Sequence, residues 1–198
     1  DLIVALDWMM LEQVCAFFGA HRELDGCAVS VNFSARQFLA PDAERRVLDT
    51  LERHGLAPTR LKLELTERVL AGDIRRVRAV MEALAARGVE FYLDDFGTGY
   101  SNLSSVVSLP LQYVKVDRSL LEAATNGGGG ALLLRAVVET FRAMGRGILL
   151  EGVETPEQYA LACTLRADRL QGYYLARPMP GEELCALMRS GARRTRRT

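Results

Sequence analysis

The sequence has few of the residues that build zinc sites, disulfide frameworks or membrane spans. Only two of its 198 residues are histidine and four are cysteine, and the cysteines lie far apart with no C-x-x-C pair. This spacing argues against a zinc knuckle or a disulfide framework, so we expect four reduced cysteines. No run reaches the ~18 apolar residues that span a bilayer, and no signal peptide opens the chain. These absences favour a cytoplasmic protein without direct membrane contact.

An excess of either charge is also missing. Lys plus Arg and Asp plus Glu both number 25, so the formal net charge is zero. Such a chain has no basic field to hold a nucleic acid polymer, and a small ligand is favoured. Its composition, 49% apolar and 25% charged, is that of an ordinary globular protein. We predict one domain over residues 1–190, followed by a solvated basic tail at 191–198.

Short β-branched and apolar runs alternate with longer segments of helical period, which predicts an α/β fold of βα units around a parallel sheet. A mostly buried helix is predicted over 2–18. A second helix is expected to begin after Asp73 as N-cap and to end at Gly88, and a capping box is predicted from Thr155 to Gln158. The six predicted strands are 27–32, 60–65, 90–95, 112–117, 147–151 and 168–174.

Polar side chains stand at the ends of nearly all these strands. A single acid at a strand end is ordinarily a helix N-cap or a solvated loop residue. A series on five strands is better explained by a common site, because the C-terminal strand ends of a parallel barrel converge on one face, where active sites lie. Converging carboxylates raise each other's pKa, which makes a cation their natural partner. The residues are Asn32, Glu64, Asp94, Asp95, Glu151 and Gln171.

The candidate ligands predict hard divalent cations. They are carboxylates and amides, whereas His21 and His54 fall in a connecting segment and after a helix, so zinc is disfavoured. Oxygen ligands suit Mg²⁺ or Mn²⁺. The adjacent pair Asp94 and Asp95 could hold two ions roughly 3.5–4 Å apart. Without a histidine as general base, we expect a metal-bound water as nucleophile, and phosphoester hydrolysis is the usual chemistry of such sites.

Lys115 and the segment after Asp95 each have two interpretations. Lys115 is predicted to face the barrel interior, where it forms a salt bridge to a strand-end carboxylate or acts as a cation that orients the attacking water and balances phosphoryl charge. The segment after Asp95 is a surface turn or a gating loop. Its position directly behind two candidate ligands favours the loop, which comprises Phe96, Gly97, Thr98, Gly99, Tyr100, Ser101 and Asn102.

Six motifs occur in a recognisable order: NFSARQF at 32–38, LELTE at 63–67, LDDFGTGYSNL at 93–103, YVKVDRS at 113–119, LEGVET at 150–155 and QGYYLARPMP at 171–180. Over nearly the whole chain, they resemble the EAL domain phosphodiesterases that hydrolyse cyclic di-GMP. The resemblance implies a (β/α)₈ barrel of the TIM type, a linear pGpG product and, as in many members, a homodimer. Asn102, Leu150 and the glycine run at 127–130 depart from the usual family pattern, but none of these departures removes a ligand.

The resemblance also implies a metal role for each strand-end residue. Asn32, Glu64 and Asp94 are implied ligands of one Mg²⁺ or Mn²⁺ ion. Asp94 bridges to a second ion, which Asp95 also holds. Glu151 is the further carboxylate beside that second ion, directly or through water, and we count it among the catalytic residues as well.

The remaining implied roles concern the water, the loop and the nucleotide. Lys115 is implied to position the nucleophilic water, and Glu67 to anchor the loop that begins at Phe96. Contacts to cyclic di-GMP or its water are expected from Gln171, Glu154 and Arg36.

The serious departure from the family pattern lies at the N-terminus. The strand with the Glu-x-Leu motif and the strand before it are absent from residues 1–198. Six βα units also fall short of the eight strands and roughly 250 residues of this architecture. We therefore expect a longer chain, fused to upstream sensor or cyclase-like domains, whose upstream residues supply a further metal ligand. The segment alone is expected to show little or no hydrolysis.

Two other functions are compatible with parts of this pattern. A catalytically silent EAL receptor would bind cyclic di-GMP to regulate a partner, although such members usually lose residues of the metal site or the loop. A Schiff-base lyase would use Lys115 as nucleophile. The lyase is disfavoured because surrounding carboxylates raise the pKa of a lysine that must be deprotonated to react.

Overall fold

Six parallel strands in chain order form the centre of the molecule in a computed structural model that describes residues 2–66, 69, 73–97 and 106–190. Each strand pairs with the next one along the chain, and every pairing is parallel. The sheet curls into a half-barrel, which confirms the predicted α/β fold of the TIM type. The strands are β1 (Val29–Asn32), β2 (Leu61–Thr66), β3 (Glu90–Phe96), β4 (Tyr113–Val116), β5 (Gly147–Leu150) and β6 (Arg169–Leu170).

Helices cover the outer face of this sheet and connect its strands. None of the described helices is long and apolar enough to cross a membrane. In the described part of the chain they are α1 (Leu2–Ala20), α2 (Ala35–Phe38), α3 (Ala43–Arg53), α4 (Ile74–Ala85), α5 (Arg118–Thr125), α6 (Gly130–Ala143), α7 (Pro156–Thr164) and α8 (Gly181–Arg189), with short 3₁₀ turns at Arg22–Leu24 and Pro58–Arg60.

The core lies between the sheet and these helices. Alternate strand residues such as Val114, Val116 and Ile148 point outward and are fully buried there. The opposite, concave face of the sheet carries the other residues of each strand, including Glu64 and Lys115. All four cysteines are free, and Cys15 and Cys185 are buried in the packing, whereas Cys163 is exposed.

Local signals in the sequence correctly placed two helix starts. Asp73 Oδ1 accepts a hydrogen bond from Arg76 N at 3.2 Å and caps α4. At the start of α7, Thr155 Oγ1 accepts from Gln158 N at 3.3 Å, and Gln158 Oε1 accepts from Thr155 N at 3.0 Å. This reciprocal pair is the predicted capping box.

The prediction that the first helix is mostly buried is wrong. Only one face of α1 packs on the core, through residues such as Trp8 and Leu11, while Leu2, Met9 and Met10 are 78%, 45% and 49% exposed. A helix on the outside of a sheet presents one side to it. Because α1 is apolar on both sides, its sequence does not show which side that is.

The last strand is also shorter than predicted. It ends at Leu170, because the chain turns at Gly172, where Leu175 N donates to Gly172 O at 3.0 Å. A Cβ on Gly172 would lie 2.2 Å from Val153 O, so this turn packs directly against the backbone that follows β5.

Candidate active site

The C-terminal ends of the strands bring the predicted polar residues to one rim of the half-barrel. Asn32 is the last residue of β1 and lies opposite Glu64 of β2 in the parallel register. Glu151 directly follows β5, and its N–H donates to Val116 O at 3.1 Å, so the ladder continues past the strand. Gln171 follows β6 in the same way, with its N–H on Leu150 O at 2.9 Å.

Lys115 lies at the centre of this rim. Its Nζ is 2.9 Å from Glu64 Oε2, 2.7 Å from Asp94 Oδ1 and 2.8 Å from Glu151 Oε1. The lysine is 4% exposed and Glu64 is 9% exposed. One buried ammonium therefore pairs with carboxylates from three different strands.

A β-bulge places two consecutive carboxylates on the same side of β3. Alternation along a regular strand would direct Asp94 and Asp95 to opposite faces. Instead, the register between β3 and β4 shifts between Leu93 and Phe96, and Asp95 adopts a left-handed φ of 57°. Bulges of this kind re-aim side chains beside active sites.

The residues present fit a hard divalent cation. Carboxylate oxygens of Asp94, Asp95 and Glu151 lie within 4.8 Å of one another, close enough to share an ion. Asp94 Oδ1 is buried and forms an ion pair with Lys115 Nζ at 2.7 Å, but it accepts no hydrogen bond within the described part of the chain. That oxygen keeps capacity for a further ligand, and an all-oxygen donor set suits Mg²⁺ or Mn²⁺.

The titration behaviour of the rim reflects burial and crowding. Burial, and then repulsion from Asp94, raise the pKa of Asp95. Burial also raises the pKa of Glu151, and the contact with Lys115 offsets only part of this effect. For Lys115, burial alone would lower the pKa, but contacts with Asp94, Glu151 and Glu64 outweigh it and raise the pKa above its ordinary value. These contacts therefore favour the protonated form of the lysine.

A cavity of about 400 Å³ opens over the ends of β4, β5 and β6, and its lining includes the residue that directly follows Glu151 in the chain. Gln171 and Glu154, two of the residues predicted from the sequence to contact the nucleotide, line it. A Cβ on Gly152 would lie 2.2 Å from Arg118 Cβ, so the glycine allows α5 to approach the loop after β5. The cavity wall also includes Arg118, Tyr173 and Arg177.

The sequence reasoning missed these last three residues. Arg118 Nη1 lies 3.7 Å from Glu154 Oε1, and the Arg177 guanidinium stacks 4.7 Å over the Tyr173 ring. A usable signal existed, because each of the three residues lies within the motifs at 113–119 and 171–180. The cavity thus combines two cations, one carboxylate, one amide and an aromatic ring.

With this geometry in place, the sequence was compared with known proteins. The profile of the EAL domain family matches residues 1–178. The chain belongs to the EAL domain family. The bifunctional diguanylate cyclase/cyclic di-GMP phosphodiesterase MucR of Pseudomonas aeruginosa is 35% identical to this EAL domain in an alignment of 190 residues that covers 93% of the chain and 27% of MucR. The chain spans about a quarter of the length of the first curated relatives that it matches.

Solved structures extend this similarity to three dimensions. The PaMucR phosphodiesterase in complex with c-di-GMP matches the EAL domain with a TM-score of 0.83 at 36% identity, covering 92% of this chain and 75% of that chain. A manganese and cyclic di-GMP complex of BlrP1 from Klebsiella pneumoniae matches with a TM-score of 0.77 at 27% identity, covering 85% of this chain and 43% of that one.

The other predicted site residues of the EAL domain lie on α2 and at the end of β3, or fall outside the described residues. Arg36 is exposed on α2. Phe96 belongs to β3, and its buried ring packs on Phe141 at 4.7 Å. Gly97 has a φ of 109°, and a Cβ there would meet Leu120 Cδ1 at 2.4 Å. Glu67 and the loop residues 98–102 fall outside the described part of the chain.

Proposed function

We propose that this EAL domain hydrolyses cyclic di-GMP to linear pGpG with the help of two divalent ions, Mg²⁺ or Mn²⁺. The observation that carries the proposal is the set of carboxylates at the strand ends, Glu64, Asp94, Asp95 and Glu151, gathered around the buried cation Lys115. The relatives support the substrate, since PaMucR is named as a phosphodiesterase in complex with c-di-GMP. The BlrP1 complex, which contains manganese, supports the metal.

The strand ends supply the residues that would hold the ions. Asn32, Glu64 and Asp94 would bind one ion, and Asp94 with Asp95 would bind the other, with Glu151 beside it. When bound, such ions lower the pKa of water and offset negative charge on a phosphoryl group. The β-bulge at Asp94 and Asp95 is what allows both residues to take part.

The other residues of the rim act on the water and the substrate. The raised pKa of Lys115 favours its protonated form, which can donate a hydrogen bond to the attacking water. The same protonation disfavours a Schiff-base lyase, which needs a free amine. In the cavity, Glu154 can accept hydrogen bonds from a base edge and Arg118 can donate to one, while Gln171 can do either. We propose Glu67 as the anchor of the loop at 96–102, and Arg36 as a further nucleotide contact.

The proposal extends to the whole protein. MucR is several times longer than this chain and is named as a bifunctional cyclase and phosphodiesterase, which supports a longer protein. In it, residues 1–190 form the EAL domain, residues 191–198 form a basic tail, and sensor or cyclase-like domains lie upstream. We also propose that the domain acts as a homodimer in the cytoplasm. Sedimentation velocity tests the dimer, which a single monomeric species at micromolar concentration would contradict.

Hydrolysis is tested directly with the purified longer protein proposed above, because residues 1–198 alone are predicted to show little or no hydrolysis. Cyclic di-GMP is incubated with Mn²⁺, with Mg²⁺ or with chelator, and pGpG is quantified by chromatography. We expect product only with an ion. The Glu64→Gln variant should be inactive, whereas Glu139→Gln, which changes an exposed carboxylate on α6, should behave as wild type. Nucleotide binding without hydrolysis under all conditions would support the receptor function instead, and the absence of both would refute the proposal.

A further inference from the structure

The ammonium of Lys115 occupies a position where a metal ion would also find its ligands. Three carboxylate oxygens lie within 2.7–2.9 Å of Nζ, and they belong to Glu64, Asp94 and Glu151. These are residues assigned above to the metal site. Within the described part of the chain, no other cationic side chain lies within 4 Å of these three carboxylates.

The charge on the rim explains why this contact matters. Four carboxylates, including Asp95, bring four negative charges to one small volume, and Lys115 returns a single positive charge. Without that charge, the buried or half-buried carboxylates of Glu64, Asp94 and Glu151 would repel one another with little solvent screening. The lysine therefore stabilises the metal-free fold by the same attraction that a divalent cation would use.

We propose that Lys115 is an internal counter-ion that sets the metal affinity of this site: it stabilises the metal-free protein and competes with an incoming divalent cation for the oxygens of Glu64, Asp94 and Glu151. The stability of the metal-free state and the affinity for the metal are thermodynamically linked. A lysine that stabilises the metal-free state therefore lowers the affinity of the site for the metal. This role is separate from any contact with the attacking water. It rests on the proposed function only in requiring that the site binds Mn²⁺.

The test uses a nearly isosteric, uncharged substitution, Lys115→Met. Binding of Mn²⁺ alone is measured by isothermal titration calorimetry, and thermal unfolding is followed with and without Mn²⁺. We expect a lower melting temperature for the metal-free variant, at least ~10-fold tighter Mn²⁺ binding, and recovery of the melting temperature when Mn²⁺ is added. No nucleotide or turnover is needed.

The neighbouring strand offers a matched control. Lys62 lies two residues before Glu64 on β2, is 5% exposed, and pairs with Glu90 at 2.9 Å. The Lys62→Met substitution should also lower the melting temperature, but it should leave Mn²⁺ affinity within about twofold, because Glu90 is not one of the proposed ligands. Lys115→Gln is prepared in parallel in case Lys115→Met does not fold, because the glutamine amide can still donate hydrogen bonds to the carboxylates.

The outcomes separate this inference from the proposed function. If the Lys115 variants bind Mn²⁺ no more tightly than wild type, the counter-ion role is refuted while the metal site stands. If neither wild type nor the Lys115 variants bind Mn²⁺, the metal site of the proposed function is itself wrong. If Lys62→Met tightens Mn²⁺ binding as much as Lys115→Met does, general loosening of the fold explains the effect and the counter-ion role fails.

Discussion

Replacing Asp95 by glycine or by alanine separates the backbone strain at this residue from the chemistry of its side chain. Both variants lose the carboxylate, and they differ only in whether a Cβ is present at a φ of 57°. For a residue with a Cβ, the left-handed conformation costs about 1–2 kcal/mol. Glycine avoids this cost but loses about 0.5–1 kcal/mol more through its freedom in the unfolded chain.

The balance of these two free-energy terms should make glycine more stabilising than alanine at Asp95, which is the reverse of their usual order. At an ordinary helical position alanine is the more stable residue, and we expect the exposed Ala136→Gly substitution in α6 to cost about 1 kcal/mol. At Asp95 the glycine variant should instead be the more stable by about 0.5–1 kcal/mol. For a protein of this size, that difference is about 1–4 °C in melting temperature.

Thermal and urea unfolding of the metal-free proteins measure this difference. Arg166, with a φ of 53°, is a second left-handed position, and its glycine variant should likewise be more stable than its alanine variant. Neither Asp95 variant should hydrolyse cyclic di-GMP at the wild-type rate. The bulge geometry at Asp95 is wrong if its alanine variant is at least as stable as its glycine variant while, at Arg166, the glycine variant is the more stable one, as expected.

Three further predictions concern the metal site and the contact between α1 and α3. Asp94→Asn should lower the hydrolysis rate by at least ~10³-fold, about 4 kcal/mol of barrier, because Asp94 is proposed to bridge both ions. A steady-state rate within tenfold of the wild-type rate would exclude that role. Chelated protein should regain activity with Mg²⁺ or Mn²⁺ but not with Zn²⁺, since no described imidazole or thiolate joins the carboxylate cluster, and full turnover with zinc would contradict this. Hydrogen bonds from His54 and Arg53 lower the pKa of Glu12. The Glu12 carboxylate should therefore stabilise the fold above about pH 4.5, and this stabilisation should be lost as the pH falls through the lowered pKa. The difference in urea midpoint between wild type and Glu12→Gln should then disappear in acid. A difference that does not change with pH would refute this.

Much of the candidate site could be predicted because its signals are local. Each strand is a short apolar run, and the polar residue near its C-terminal end is adjacent in the sequence, as with Glu64 after Leu63 or Glu151 after Leu150. Parallel strands then bring those residues to one rim. Helix starts at Asp73 and Thr155 were equally predictable, since a capping side chain bonds to a backbone N–H only a few residues away.

Other features depend on contacts between distant segments, and only the tertiary structure decided them. The sequence left Lys115 with a single salt bridge or a catalytic role, whereas folding surrounds it with carboxylates from three other strands. The bulge that turns Asp95 toward Asp94 arises in the pairing of β3 with β4. The exposed side of α1 and the approach of Arg118 to Gly152 likewise follow from how separate elements pack, because neither depends on residues adjacent in the chain.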